Sequence, residues 1–319
     1  MNLNEARALA SAVRTEIAKA VVGQEEGVEL LLTALFSGGH VLLEGPPGAA
    51  KTLLAQCFAK ATGLQFGRVQ FTPDLMPGDI IGASLFDFRA SAFSLVKGPV
   101  FCEVLLADEI NRTPPKTQAA LLEAMQERAV TIDGQRHALS PRFTVVATQN
   151  PIEHQGTYPL PEAQLDRFLF KHVVAYPSLE AERDVVRRHG SLNGEVMHPE
   201  AFGVSAVASA EAVSEAIAAV SQVRLGDEIV DYIVALVRGT RESGDLAVGA
   251  SPRCSAMMAR AARARAALDG RDYVIPDDVK LLALAALRHR VTLSPAAEIE
   301  GRTADDAVRA VIEAAAAPR

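Results

Sequence analysis

Leu9, Val13 and Ile17 recur at four-residue spacing among Glu5, Arg7, Arg14, Glu16 and Lys19, the stripe of an amphipathic helix over residues 4–20. Val22-Gly23-Gln24 break it, and a second helix over 25–37 stops at Gly38-Gly39. His40 to Glu44 reads as a short buried strand that feeds straight into a glycine-containing loop. Helical spacing resumes over 51–62 through Leu54, Phe58 and Ala61, and Gly63 closes that turn. Phe66 to Phe71 predicts a second strand. Residues 73–100 hold Pro73, Pro77, Gly78, Gly82, Gly98 and Pro99, so the expectation there is loop with one short helix. Glu103 to Ala107 predicts a third strand, and Thr113 as N-cap with Pro114 at the first helical position opens a helix to about Arg128. Val130 to Leu139 alternates around Asp133-Gly134, a hairpin signal, and Phe143–Thr148 and Lys171–Ala175 are further strands.

Strands alternating with helices over 40–175 imply an α/β core with a parallel five-stranded sheet between helical layers. After Tyr176-Pro177 every segment is helical: 179–189, 208–222, 227–241, 252–268, 276–289 and 302–316, separated by loops at 190–207 and 242–251. The expected division is therefore residues 1–176 and an all-helical domain over 177–319.

A chain of 319 residues fits one large domain or two modest ones. Aromatics are 5% with no Trp, so the core is aliphatic. The net charge of −7 argues against wholesale coating of a nucleic acid or an anionic membrane. Cys57, Cys102 and Cys254 show no ligand or disulfide spacing and read as core fillers in a reducing compartment. The seven histidines show no metal spacing, and His40 reads as packed rather than catalytic. Charges interrupt the N-terminal apolar residues, and no run of roughly 18 apolar residues exists, so the expectation is a cytoplasmic protein without membrane insertion.

The chemistry begins at Gly45-Pro46-Pro47-Gly48-Ala49-Ala50-Lys51-Thr52, a loop between a predicted strand and a predicted helix. Backbone N–H groups in such a loop converge on phosphate oxygens, Lys51 reaches the β- and γ-phosphates, and the Thr52 hydroxyl ligates Mg²⁺. The plain alternative is a tight strand-to-helix turn. Ala50 stands where the usual pattern has glycine; as the first residue of the helix, it is expected to tolerate a methyl. Asp108-Glu109 end an apolar strand, which suits Asp108 to hold Mg²⁺, directly or through water, and Glu109 to polarise an attacking water. A helix cap is the alternative, but two acids downstream of a phosphate loop favour a nucleotide site. Asn150, at the tip of the strand Phe143–Thr148, suits a residue that orients that water, or else a simple Asn-Pro turn. Arg167 and Arg253 are candidate neutralisers of phosphoryl-transfer charge, although one arginine alone is as readily a solvated surface cation.

Two long runs settle the company these residues keep: Ala107-Asp108-Glu109-Ile110-Asn111-Arg112-Thr113-Pro114-Pro115-Lys116 through Glu127, and Gly156-Thr157-Tyr158-Pro159-Leu160-Pro161 through Leu165-Asp166-Arg167-Phe168. Together with the GxxGxAKT form of the phosphate loop, they resemble the MoxR family of AAA+ ATPases over about Val22 to Leu287. The resemblance implies an AAA+ P-loop αβα core followed by a helical lid, with Mg²⁺ and ATP held between them at the boundary of a homo-oligomeric ring, usually a hexamer. It assigns Lys51, Thr52, Asp108 and Glu109 to the two Walker motifs and Asn150 to sensor 1. It likewise makes Arg167 a finger for the neighbouring subunit and Arg253 the lid's sensor 2. Residues 73–100 and 129–141 match inserts that face the pore, while Arg112 fits either the neighbour's nucleotide or the interface. The implied role is chaperone-like ATP-driven remodelling with a partner carrying a von Willebrand factor A domain. The alternative is a nucleic-acid motor or magnesium-chelatase-type subunit, for which Arg260, Arg263, Arg265 and Arg271, with Arg136 and His137, would serve; a solvated helix face explains the same residues. A nucleotide-gated binding protein without turnover is a third class, against which Glu109 argues.

Overall fold

The protein is described here from a computed structural model covering residues 1–318 apart from 89–90, 152–155 and 191–197. Helix α1 (Leu3–Ala18) opens on a capping box, Asn2 accepting from the Glu5 N–H while the Glu5 carboxylate accepts from the Asn2 N–H. Helix α2 (Glu25–Ser37) ends at Gly38 with φ +69°, as the Gly-Gly stop predicts. Strand β1 (Val41–Glu44), helix α3 (Lys51–Thr62) and strand β2 (Phe66–Gln70) follow, close to their expected limits.

Residues 73–100 hold more than the expected loop and short helix. After α4 (Pro77–Ile81) comes an antiparallel hairpin of β3 (Gly82–Asp87) and β4 (Ala92–Lys97). Its strands leave Leu85, Phe86, Phe93 and Val96 exposed, so no alternation between a buried and a wet face announced them. Strand β5 (Val104–Asp108) runs to the acids, and helix α5 (Pro115–Glu127) corrects the expected start. Pro114, not Thr113, is the N-cap, because Pro115 forces the residue before it into extended backbone, ψ 153°. The Thr113 hydroxyl instead donates to the Thr72 carbonyl at 2.6 Å. Asp133 and Gly134 (φ 48° and 78°) turn β6 (Ala129–Ile132) into β7 (Gln135–Ala138) as the pattern predicts.

With β8 (Thr144–Gln149), the short helix α6 (Glu162–Leu165) and β9 (Phe170–Val173), the main sheet is complete in the order β2-β5-β8-β1-β9, every pairing parallel. Strand residues alternate between two apolar clusters. Val41, Leu43, Val104, Leu106 and Val146 face one layer; Leu42, Leu105, Ala107, Val145 and Ala147 face the other with Leu121, Leu122 and Met125 of α5. The carboxyl ends of β1, β5 and β8 therefore open on one edge, where side chains from separate parts of the chain meet.

The later helices are α7 (Leu179–His189), α8 (Ala210–Ser221) and α9 (Asp227–Glu242). A two-stranded ribbon, β10 (Leu246–Val248) with β11 (Thr292–Leu293), interrupts the expected all-helical run. Helices α10 (Pro252–Leu268), α11 (Pro276–Leu287), α12 (Pro295–Ile299) and α13 (Ala304–Ala314) complete the chain. Helix α10 packs on α1 and α2, so one apolar cluster runs from Ala6 through the sheet to Ile312. All three cysteines are buried, and burial pushes the thiols of Cys57 and Cys102 up to about 12, which keeps them inert. Among the described residues no helix is long and apolar enough to cross a membrane, and no cluster of potential metal ligands occurs.

Candidate functional site

Between β1 and α3 the chain turns through the loop that the sequence marks. Gly45 is required for packing rather than for the ligand side, since a Cβ there would meet the Val174 carbonyl at 2.5 Å. Gly48 turns at φ +79° with open space around it. Ala50 corrects the reasoning given for its methyl: it is not the first helical residue but a left-handed N-cap, φ 58° and ψ 18°, a conformation glycine adopts without strain. The Lys51 ammonium is held by the carbonyls of Gly45 and Pro46 at 2.6 and 2.7 Å. Burial pulls it below its ordinary range, while the carboxylates of Asp108 and Glu109 act the other way.

The acids stand directly across from this loop. Asp108, buried at the end of β5, accepts from the Thr148 hydroxyl at 2.7 Å through Oδ1. Its Oδ2 accepts from Arg68 at 2.7 Å and from the Thr52 hydroxyl at 3.4 Å. Glu109 adopts left-handed backbone, φ 57°, and its N–H donates to Thr148 Oγ1 at 2.9 Å. Its Oε2 accepts from Gln70 at 2.8 Å and forms an ion pair with Arg112 Nε at 3.2 Å. Asn150 is buried just past β8. Thr52 and Asp108 are hard oxygen donors beside the phosphate loop, a set that fits Mg²⁺, which keeps several waters and needs few protein ligands.

These groups line a cleft of about 600 Å³. Pro47 to Thr52, Asp108, Glu109 and Asn150 form its polar end; Val21, Val22, Pro177 and Val185 form an apolar end. Pattern reading missed much of this wall. Val22-Gly23-Gln24 registered only as a helix break, and Arg68 and Gln70 only as strand residues. The one available signal was position: β2 pairs with β5 so that Gln70 lies opposite Asp108, which aims alternate β2 side chains at the acids. Among the described residues of the helical region beyond 176, only Pro177 and Val185 reach the cleft.

Arg167 and Arg253 lie outside this lining, near enough to each other for their like charges to interact. Arg167, half-buried just past α6, is shifted below its usual range first by burial and then by the charge of Arg253; Glu123 and Glu127 oppose that shift. Its Nε is buried without a hydrogen-bond partner, and among the described residues neither arginine forms an ion pair. Of the four lid arginines suggested for nucleic acid, Arg265 and Arg271 are occupied within the fold. Arg265 pairs with Glu29 at 2.8 Å and Asp269 at 3.0 Å, and Arg271 pairs with Asp278 at 2.6 Å and Asp269 at 3.1 Å.

A sequence model of the ATPase family associated with various cellular activities (AAA) matches residues 40–170, and one of the AAA lid domain matches 238–311. The chain is 46% identical over 302 residues to the protein YeaC of Bacillus subtilis, covering 95% of this chain and 92% of that one. It is 45% identical over 313 residues to the chaperone MoxR1 of Mycobacterium tuberculosis, covering 95% and 81%. The protein MoxR of Methylorubrum extorquens is 36% identical over 343 residues, covering 99% and 97%. The crystal structure of a candidate ATPase from Cytophaga hutchinsonii superposes with a TM-score of 0.90 at 39% identity, covering 99% and 97%.

Proposed function

The chain belongs to the MoxR family of AAA+ ATPases, and we propose that it binds Mg-ATP in the cleft at Gly45 to Thr52 and hydrolyses it to drive chaperone-like remodelling of a partner protein. The observation that carries this reading is the meeting of Lys51, Thr52, Asp108, Glu109 and Asn150 at one edge of the sheet.

In this reading the loop N–H groups and the start of α3 take the phosphates, and Lys51 exchanges its two carbonyl partners for phosphate oxygens. The base lies at the apolar end, against Val21, Val22 and Val185. Thr52 and Asp108 would hold Mg²⁺, whose charge, when bound, neutralises phosphate oxygens. Glu109 accepts a proton from the attacking water and Asn150 orients that water. Thr148 keeps both acids in place, because its hydroxyl donates to Asp108 and accepts from the Glu109 N–H. Gln70 and Arg112 restrain the Glu109 carboxylate until the water is there.

Residues 1–176 serve as the nucleotide core and 177–319 as the lid. AAA+ ATPases work as oligomeric rings, here in our reading a hexamer. Arg167 and Arg253, outside their own subunit's cleft and without ion-pair partners among the described residues, act on the triphosphate of the adjacent subunit. The exposed hairpin β3–β4 and the turn at Asp133-Gly134 face the pore, and the partner carries a von Willebrand factor A domain. The relative named a chaperone, MoxR1, supports the remodelling role.

Glu109→Gln tests the chemistry. ATP binding, followed with a fluorescent analogue, is expected to persist while phosphate release falls at least a hundredfold; unchanged release would refute the assignment. For the partner, a purified von Willebrand factor A domain protein should co-elute with the Glu109→Gln ring in ATP and not in ADP. Equal elution in both nucleotides counts against ATP-driven action on it.

A further inference from the structure

Arg290, just past α11, is a buried guanidinium with a side chain 1% exposed. A buried guanidinium is tolerated only when its donors are matched, and these are matched almost entirely by one short stretch of chain. Nε donates to Asp166 Oδ1 at 2.7 Å. Nη1 donates to the carbonyls of Leu169 (3.1 Å) and Ala286. Nη2 donates to the carbonyls of Asp166 (3.0 Å) and Phe168. The second carboxylate oxygen, Asp166 Oδ2, accepts from the Ser251 hydroxyl at 3.0 Å. Asp166 is the chain neighbour of Arg167, and Ser251 is the N-cap of α10, whose first turn carries Arg253.

The consequence is mechanical. The Ser251–Asp166 hydrogen bond at 3.0 Å brings together the segments that carry Arg253 and Arg167, and the like charge of Arg253 lowers Arg167, so mutual repulsion opposes the arrangement. Ser251 and Arg253 are on α10, Arg167 follows α6, and the hydrogen bonds through Asp166 are what join those two backbones at this point. We propose that Arg290 is a positioning residue for hydrolysis at the subunit boundary: through Asp166 and Ser251 it fixes Arg167 and Arg253 as one two-cation unit that a neighbouring subunit's triphosphate engages. The proposal rests on Arg167 and Arg253 acting in trans. It adds that they act as a pair, and that the pair is set by a residue touching neither nucleotide nor water.

Two variants test it. Ser251→Ala removes only the hydrogen bond to α10 and keeps the buried Arg290–Asp166 pair, so the fold survives. Arg290→Lys keeps the charge but cannot match the same acceptors. Both are expected to bind the fluorescent ATP analogue as tightly as wild type while kcat falls, about tenfold for Ser251→Ala and about a hundredfold for Arg290→Lys. Adding Ser251→Ala to Arg167→Ala should cost little more, since both disable the same two-cation unit. In rings mixed with Lys51→Ala subunits, Arg290→Lys subunits should regain hydrolysis, because intact arginines then face their intact clefts. If Arg167→Ala lowers kcat but both positioning variants, folded, turn over like wild type, the positioning role is refuted and the in-trans reading stands. If Arg167→Ala is itself silent, both fall. A Ser251→Ala defect that appears as lost nucleotide affinity with an unchanged kcat also overturns the proposal.

Discussion

Lys51 and the pair Arg167–Arg253 are the cations that the triphosphate is expected to meet, and the fold treats them in opposite ways. Lys51 is satisfied inside its own subunit: two loop carbonyls hold it, and two carboxylates offset part of what burial takes away. Arg167 and Arg253 have no ion pair among the described residues, each other's repulsion, and a rigid base built from Asp166, Ser251 and Arg290. A cation with local counter-charge belongs to a site that is at rest when a subunit is alone. Glu123 and Glu127 answer Arg167 only in part, so the pair gains most from negative charge supplied from outside. In the proposed reading the contrast divides the work: one cleft binds, and the next subunit completes the charge balance of the transition state.

The strongest way to break that division is Arg167→Ala. It is expected to lower kcat about a thousandfold, the scale of an arginine acting on a transferring phosphoryl group, with binding of the ATP analogue unchanged. Mixing it with Lys51→Ala subunits should restore part of the activity at mixed interfaces. No recovery in rings shown to be mixed would mean that Arg167 serves its own cleft and that the two regions do not divide the work.

Acid probes the two regions through one buried histidine in each. His40 accepts from the Val145 N–H at 2.9 Å through Nδ1, so Nε2 carries the proton toward the Met125 carbonyl, and burial pushes its pKa down to about 3. His289, bonded to Phe168 beneath the arginines, is shifted the same way by burial. The unfolded chain takes these protons near pH 6.5 and the folded one far lower, so the stabilisation is full above pH 6.5 and drains away as the pH falls toward 3. From pH 7.5 to 5, His40 alone should remove about 2 kcal/mol, read from denaturant midpoints. Equal midpoints would show that His40 is not held neutral.

A smaller effect tests whether the cleft is balanced from within. Arg68 donates to the same Asp108 oxygen that faces Thr52. Arg68→Gln removes one positive charge there, so the Mg²⁺ concentration that half-saturates ATP binding should fall about fivefold, the ~1 kcal/mol of a unit charge at a hydrated surface. A higher requirement would mean that Arg68 supports the metal site rather than competing with it.

What the sequence shows tracks how local each cause is. The phosphate loop and the acids at the end of β5 are legible because contiguous residues and a strand-to-helix context specify them. Asp133-Gly134 is legible because two left-handed residues are a local demand. The β3–β4 hairpin is not, since its apolar side chains face outward and carry no burial period. Thr113 misled because the pattern weighed its hydroxyl, while Pro115 fixed the backbone of Pro114. Arg68 and Gln70 acquire meaning only from β2 lying beside β5, and Arg290 only from α11 packing over the turn after α6. Lone polar residues whose partners are distant in sequence carry no local signature.

The smallest expected effect returns to the binding side. If Ala50 is strained where the usual pattern has glycine, Ala50→Gly should relieve it. A left-handed L-residue costs roughly 1–2 kcal/mol, and glycine gives back roughly 0.4–1 through the unfolded chain. The net gain is therefore about 0.5 kcal/mol, a rise in Tm of about 1 °C. Ala50 is exposed on the cleft wall, so the fold has no packing to lose with the methyl. Affinity for the ATP analogue should stay within twofold if the methyl only narrows the loop's conformations. A marked loss of affinity with unchanged stability would show instead that the methyl holds the loop in its phosphate-ready shape. The binding side would then depend on tension built into its backbone, as the arginine side depends on charges held together, and the two regions would differ in where their counter-force comes from.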